Sequence, residues 1–181
     1  MAKEGCRLDY ADSVIIEVLQ TRKKILGKVD CQKTMYFAKR LGAIVPFNFR
    51  WNIFGPYSYS LAHSCDFLVM ERLLEYTGME YKINQNALIE CTPALEPELE
   101  ERIVQFFKAV EHVCAENNYD RVHFIECAAS LDFIQANVSY EYRKKEKTFK
   151  LLEQLKPQKE AIFSQMREEA WCLITNEGLV R

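Results

Sequence analysis

Between Val122 and Asn137 the chain reads VHFIECAASLDFIQAN, a helix-length segment that is apolar on nearly every side. A surface helix keeps one polar face, so a helix without one has to be surrounded. Ala128, Ala129 and Ser130 are small enough to let neighbouring helices approach closely. The segment demands a bundle, and the flanking sequence supplies it. PELEERIVQFFKAVEHVCAENN puts acids in its first turn, where they suit the positive end of a helix dipole. Its apolar face is Leu99, Ile103, Phe106, Phe107, Val110 and Cys114. Two more amphipathic helices are predicted at about 142–155 and 158–175, separated by Pro157. Residues 93–181 therefore read as a helical bundle.

The first 92 residues alternate between helix and strand patterns. A helix is predicted from Ser13 to Leu26, capped by Asp12 or Ser13 and stopped by Gly27. Asp30 caps a second helix whose apolar face is Cys31, Met35, Ala38 and Leu41, with Lys33, Lys39 and Arg40 pointing elsewhere. FNFRWNIF alternates as a short strand does, and Gly55-Pro56 ends it. Ser58 or Ser60 caps a third helix running to Tyr76, with Leu61, Cys65, Leu68, Val69 and Leu73 inward. MEYKINQNALIEC reads as a hairpin around Asn84-Gln85-Asn86. The expected fold is mainly α with a small antiparallel β wing. A winged helix-turn-helix domain occupies 1–92 and a helical bundle 93–181.

Composition limits the function classes. A net charge of −2 over 181 residues offers no global attraction to nucleic acid or membrane. Each apolar run is interrupted by charge before it could span a bilayer, and MAKEGCRLDYADS lacks the apolar core of a signal peptide. A cytoplasmic protein without a membrane partner is expected. The seven cysteines form no C-x-x-C pair and read as reduced, mostly buried thiols; neither a metal nor a cofactor is expected. Ser60, His63, Ser64 and Asp66 spell out a Ser-His-Asp set, but neighbours on one helix point about 100° apart and rarely reach triad geometry. His112 and His123 lack metal-ligand spacing. No catalysis is expected.

Four segments, CQKTMYFAKRLG, FRWNIFGPYSYSLAHSCDFL, ECAASLDFIQAN and KPQKEAIFSQMREEAWCLI, occur in the order seen in YwgA-like proteins. Those are prokaryotic winged-helix proteins similar to the Panacea (SocA-like) antitoxin domain. Lys33, Tyr36 and Phe37 match the family's K-x-x-Y-F/L helix. Phe49, Arg50, Gly55, Pro56, Tyr57, Ser58 and Leu61 match its F-R-x-x-x-x-G-P-Y-S-x-x-L corner. The resemblance extends from about Leu26 to Leu173. Where the family often carries an acidic residue, this chain has His63 and Ser64 before Asp66. The resemblance implies a regulatory, antitoxin-like role exercised on a partner protein.

Two surfaces are candidates. The corner at Gly55-Pro56-Tyr57-Ser58 reads either as a capped strand-to-helix joint or as a helix N-terminus that takes an anion. Around it Arg50, Trp51, Tyr57, Tyr59 and His63 are the candidate partner-binding residues; Arg50 alternatively pairs with Glu71 or Glu75. Arg22, Lys23, Lys24, Lys28, Lys33, Lys39 and Arg40 form a local basic cluster, the candidate contact for nucleic acid. The third helix carries Asp66, Glu71 and Glu75 against Arg72, a poor match to phosphate, so any duplex binding is expected to be weak. A protein partner is the leading reading, a DNA-binding regulator the alternative, and homodimerisation is open.

Overall fold

The computed structural model describes residues 6–22, 25–87, 89–90, 95–140 and 143–180, with backbone alone at 6–7 and 89–90. Its first elements are β1 (Cys6–Arg7), α1 (Tyr10–Arg22) and α2 (Gly27–Leu41), followed by a hairpin of β2 (Arg50–Asn52) and β3 (Gly55–Tyr57). Next come α3 (Tyr59–Met70), a second hairpin of β4 (Leu74–Tyr76) and β5 (Tyr81–Ile83), and β6 (Ile89–Glu90). The described remainder is helical: α4 (Pro97–Asn117), α5 (Arg121–Asn137), α6 (Lys145–Leu155), a 3-10 turn at Pro157–Lys159, the short α7 (Glu160–Phe163) and α8 (Arg167–Asn176). The fold is mainly α with a small antiparallel β wing.

The elements gather into two compact units, and the chain passes between them more than once. The first unit takes Met1–Phe49 and Ser58–Gln105, the second Arg50–Tyr57 and Phe106–Arg181. The first hairpin thus belongs with the C-terminal helices, and α4 contributes to both units. The boundary expected at 92/93 falls outside the described residues.

In the first unit α1 begins three residues earlier than expected. Asp9 is the capping side chain, accepting from the Asp12 amide at 2.8 Å. Asp12 and Ser13, the expected caps, are buried within the helix. Gly27 opens α2 and does not stop α1. Asp30 reaches back to accept from the Leu26 amide at 2.7 Å, satisfying a donor at the helix start. α2 is buried all round from Asp30 to Ala38, so Lys33, expected to point outward, lies inside.

The wing lies earlier in the chain than expected. α3 ends at Met70, not Tyr76, because Arg72 adopts a left-handed φ of 59° that closes the helix. The strand β4 follows immediately and pairs antiparallel with β5 in the register Leu74↔Ile83, Glu75↔Lys82, Tyr76↔Tyr81. Its turn is Thr77–Glu80, where Gly78 supplies φ 85° and Thr77 Oγ1 accepts from the Met79 and Glu80 amides. Asn84-Gln85-Asn86, the expected turn of the hairpin, instead redirects the chain into β6, which pairs parallel with β1. Ile25, in the link from α1 to α2, bridges Tyr81 and ties the wing to the helices.

In the second unit FNFRWNIF is not one strand. β2 and β3 pair as Arg50↔Tyr57, Trp51↔Pro56 and Asn52↔Gly55. Ile53 and Phe54 make the turn, Asn52 Oδ1 accepts from the Phe54 amide, and the left-handed step falls on Gly55 at φ 80°. Gly55-Pro56 sits inside a strand, which Pro tolerates because each strand of a two-stranded ribbon is an edge. α5 is buried on all sides from Phe124 to Asp132, as its composition requires, with α6, α7, α8 and β3 against it. The last predicted helix is broken: α7 stops at Phe163 and α8 restarts at Arg167, with Phe163 and Met166 both turned inward.

Buried acids give the protein an alkaline limit. Burial raises the Cys114 thiol from 9.0 to about 11 and also pushes Cys127 up. The Cys31 thiol is raised by its hydrogen bond to Cys65 and by burial, and the Tyr81 phenol by burial. Groups raised on folding contribute stability below their unfolded pKa and lose it as pH climbs toward the folded value. Lys156, lowered mainly by burial, works in the opposite direction as pH rises to 10.5. Three thiols and a phenol oppose one lysine, so urea midpoints should fall from about pH 9 to about pH 11. A flat or rising profile across that window would contradict this account.

Candidate protein-binding face

The helix α3 is held by three contacts with α2 inside the first unit. At its N-terminus Gln32 acts as a backbone surrogate: its Nε2 donates to Ser58 O at 2.9 Å, and the Ser58 amide donates to its Oε1 at 2.8 Å. Further along, Cys31 Sγ lies 3.7 Å from Cys65 Sγ, and Lys28 Nζ pairs with Asp66 at 3.1 Å. Ser58 Oγ accepts from the Leu61 amide at 3.4 Å, so the serine hydroxyl caps the helix, as one of the two sequence readings has it. Ser58→Ala is expected to cost about 0.5–2 kcal/mol. Gln32→Ala should cost more, since it strands a buried donor and a buried acceptor at about 1–3 kcal/mol each. Urea titration of both variants checks that order.

With Leu61, Cys65 and Leu68 buried, the outer face of α3 is fixed. It carries Tyr59 (73% exposed), His63, Phe67 (42%) and Met70 (68%). Steps of four, four and three residues put these side chains in one stripe. α3 contains no Lys or Arg, and its one acid, Asp66, is engaged by Lys28. The stripe is aromatic and thioether surface in water, the composition enriched at protein interfaces. The sequence reading of this face stops at His63; Phe67 and Met70 extend it.

The other candidates distribute differently. Arg50 is exposed on β2, whereas Tyr57 is half-buried. Trp51 is half-buried against Phe133, with ring centroids 6.1 Å apart, and is a packing residue of the second unit. Of the basic cluster, Lys23 and Lys24 lie outside the described residues. Arg22 is buried and faces Asp30 at 3.7 Å, and Lys33 is fully buried. Lys28 is spent on Asp66, and Lys39 donates to Phe47 O at 2.7 Å. Arg40 is half-buried at the end of α2. On the wing, Lys82 pairs with Glu80 at 3.2 Å. A groove of about 910 Å³ beside the wing is lined by Gln20, Glu75, Lys82, Asn84, Gln85 and Asn86, with one cation offset by one carboxylate.

The second unit contains a cluster that sequence reasoning did not identify. Glu126, on the mostly apolar α5, is buried and accepts from the fully buried Lys156; Lys159 approaches its other oxygen at 3.8 Å. Lys156 Nζ stands 5.8 Å from the Trp51 ring and 5.4 Å from the Phe163 ring. Burial draws Lys156 below the usual lysine range, with Glu126 opposing. Such a shift can mark a reaction centre. The adjoining cavity, however, is about 10 Å³, room for no more than about one water. The pair is an internal clamp, and the signal for it was a carboxylate, Glu126, at the start of the mostly apolar ECAASLDFIQAN, which also carries Asp132.

Among the described residues no helix is long and apolar enough to cross a membrane, and no group of three or more His, Cys, Asp or Glu side chains could hold a metal ion. Comparison with family models, with curated proteins and with solved structures gives no match.

Proposed function

We propose that this chain is a non-catalytic cytoplasmic adaptor, antitoxin-like in the sense its resemblance to YwgA-like and Panacea proteins implies, and that α3 docks a partner protein through its outer face. The observation that carries this reading is the stripe of Tyr59, His63, Phe67 and Met70 on a helix without basic side chains. Duplex binding rests on phosphate neutralisation by Lys and Arg. Within the proposed nucleic-acid cluster, Arg22 and Lys33 are inside the protein, and Lys28 and Lys39 already have protein acceptors. A helix-in-groove contact uses apolar anchors at this spacing.

The test places a photoreactive phenylalanine analogue at Phe67 and, as control, at Lys150, in the organism the chain comes from. The expected adduct at Phe67 is one polypeptide, missing at Lys150, and Tyr59→Ala or Met70→Ala weakens its binding by about 2 kcal/mol or more. Both substitutions should leave the melting curve unchanged within about 0.5 kcal/mol, because the side chains are exposed. Nucleic acid at Phe67, or nanomolar sequence-selective duplex binding at physiological salt against an expected non-specific Kd of about 10⁻⁶ to 10⁻⁴ M or weaker, would replace this reading with the DNA-binding one.

A further inference from the structure

Cys31 and Cys65 are separated by 34 positions in sequence and by 3.7 Å between sulfurs. Both are buried and free. Their meeting is fixed on both sides by contacts that involve neither sulfur. The Gln32–Ser58 pair of hydrogen bonds holds one end of the α2–α3 contact, and the Lys28–Asp66 ion pair lies beside the sulfurs. Rising numbers on α2 meet falling numbers on α3, so the helices pass in opposite senses and the two thiols have one standing partner each. A disulfide needs a sulfur separation of about 2 Å, about 1.7 Å less than the present contact.

We propose that Cys31 and Cys65 are a reversible redox pair that forms a disulfide between α2 and α3 when the protein meets a peroxide. One sulfur, as thiolate, attacks a peroxide oxygen; the O–O bond breaks, hydroxide leaves and takes a proton as water, and a sulfenic acid remains. The second sulfur attacks that sulfenic sulfur; the S–S bond forms, the S–O bond breaks, and a second water departs. Two electrons pass from the sulfurs to the peroxide. A small dithiol reductant reverses the change by exchange. The neighbouring sulfur and burial keep Cys31 as thiol at neutral pH, which makes the reduced pair the resting form and the oxidation slow. The pair is a property of the α2–α3 contact and does not depend on what α3 binds.

The experiment uses the full chain with Cys172→Ser as a companion, because Cys172 is exposed and would otherwise couple chains. An equal mixture of isotopically light and heavy protein is exposed to hydrogen peroxide, alkylated, digested without reduction and mapped by mass spectrometry. The expected product joins the Cys31 and Cys65 peptides, lacks two hydrogens, is all light or all heavy, and disappears with dithiothreitol. The oxidised protein should melt above the reduced one, as closure of a long loop predicts. In the parent chain, oxidation of Cys172 reports that the reagent was effective. Recovery of Cys31 and Cys65 as alkylated thiols or sulfinic acids while Cys172 is oxidised would overturn the proposal. So would a linked product that melts below the reduced protein, since that would show the sulfurs are not poised to join.

Discussion

Lys156→Ala is expected to lower stability by about 3–5 kcal/mol, because it leaves a buried carboxylate without its hydrogen-bonded cation. Glu126 and Lys156 are both nearly inaccessible, so water cannot take over the missing contact. Lys159, 3.8 Å from the second oxygen of Glu126 and partly exposed, gives some compensation and places the result toward the lower end. Trp51 lies beside the lysine and serves as an optical reporter of the site. Removing both charges should be far milder: Glu126→Gln with Lys156→Met keeps volume and eliminates the uncompensated ion. Near-parent stability for that double variant, beside a large loss for Lys156→Ala in urea titrations, is the expected pattern. A single-variant loss under about 1 kcal/mol would mean the carboxylate finds water after all.

Asp30→Ala should be the corresponding weak point of the first unit, at about 3 kcal/mol. It removes the anion facing the buried Arg22 and the acceptor of the Leu26 amide together. The 3.7 Å separation from Arg22 is at the long end for an ion pair, which argues against the top of the range. Asp30→Asn separates the two effects, since the amide oxygen can still accept from Leu26 while the charge is gone. The expected order in urea midpoint is parent, then Asn, then Ala. Equal losses for Asn and Ala would assign the whole effect to charge and none to the helix start.

The helices that announced themselves in the sequence are those whose burial pattern is local. α5 is apolar on nearly every side and is surrounded; Ile103, Phe106, Phe107, Val110 and Cys114 of α4 are all buried at the predicted spacing. The wing was misplaced because its position is decided away from its own residues. Gly78 and Asn84-Gln85-Asn86 are comparable turn formers, and the choice between them follows from Ile25 bridging Tyr81. Arg72 closes α3 in a conformation usually left to glycine, so no residue type marks the end. Lys33 reads as an outward charge, yet the whole middle of α2 is enclosed. At the candidate face, Tyr59 and His63 were legible as polar-aromatic residues beside a helix cap. Phe67 and Met70 carry no such polar mark, and their exposure follows only from which face of α3 the rest of the fold covers.

The hairpin β2–β3 has a consequence for how the protein is made. A two-stranded ribbon is marginal by itself in water, and β3 packs on α5, whose first residue lies 64 positions beyond Tyr57. During synthesis at about 5–20 residues per second, the finished hairpin waits several seconds for its packing partner. Through that interval Trp51 has no Phe133 to cover it, and the nascent chain offers an aromatic ribbon to whatever binds unfinished proteins. The same order sets a limit on dissection. Cutting the gene once, at any position, divides at least one of the two units, and any cut after Tyr57 separates Arg50–Tyr57 from part of the unit they belong to. Residues 106–181 made alone would lack the tryptophan that lies over Lys156.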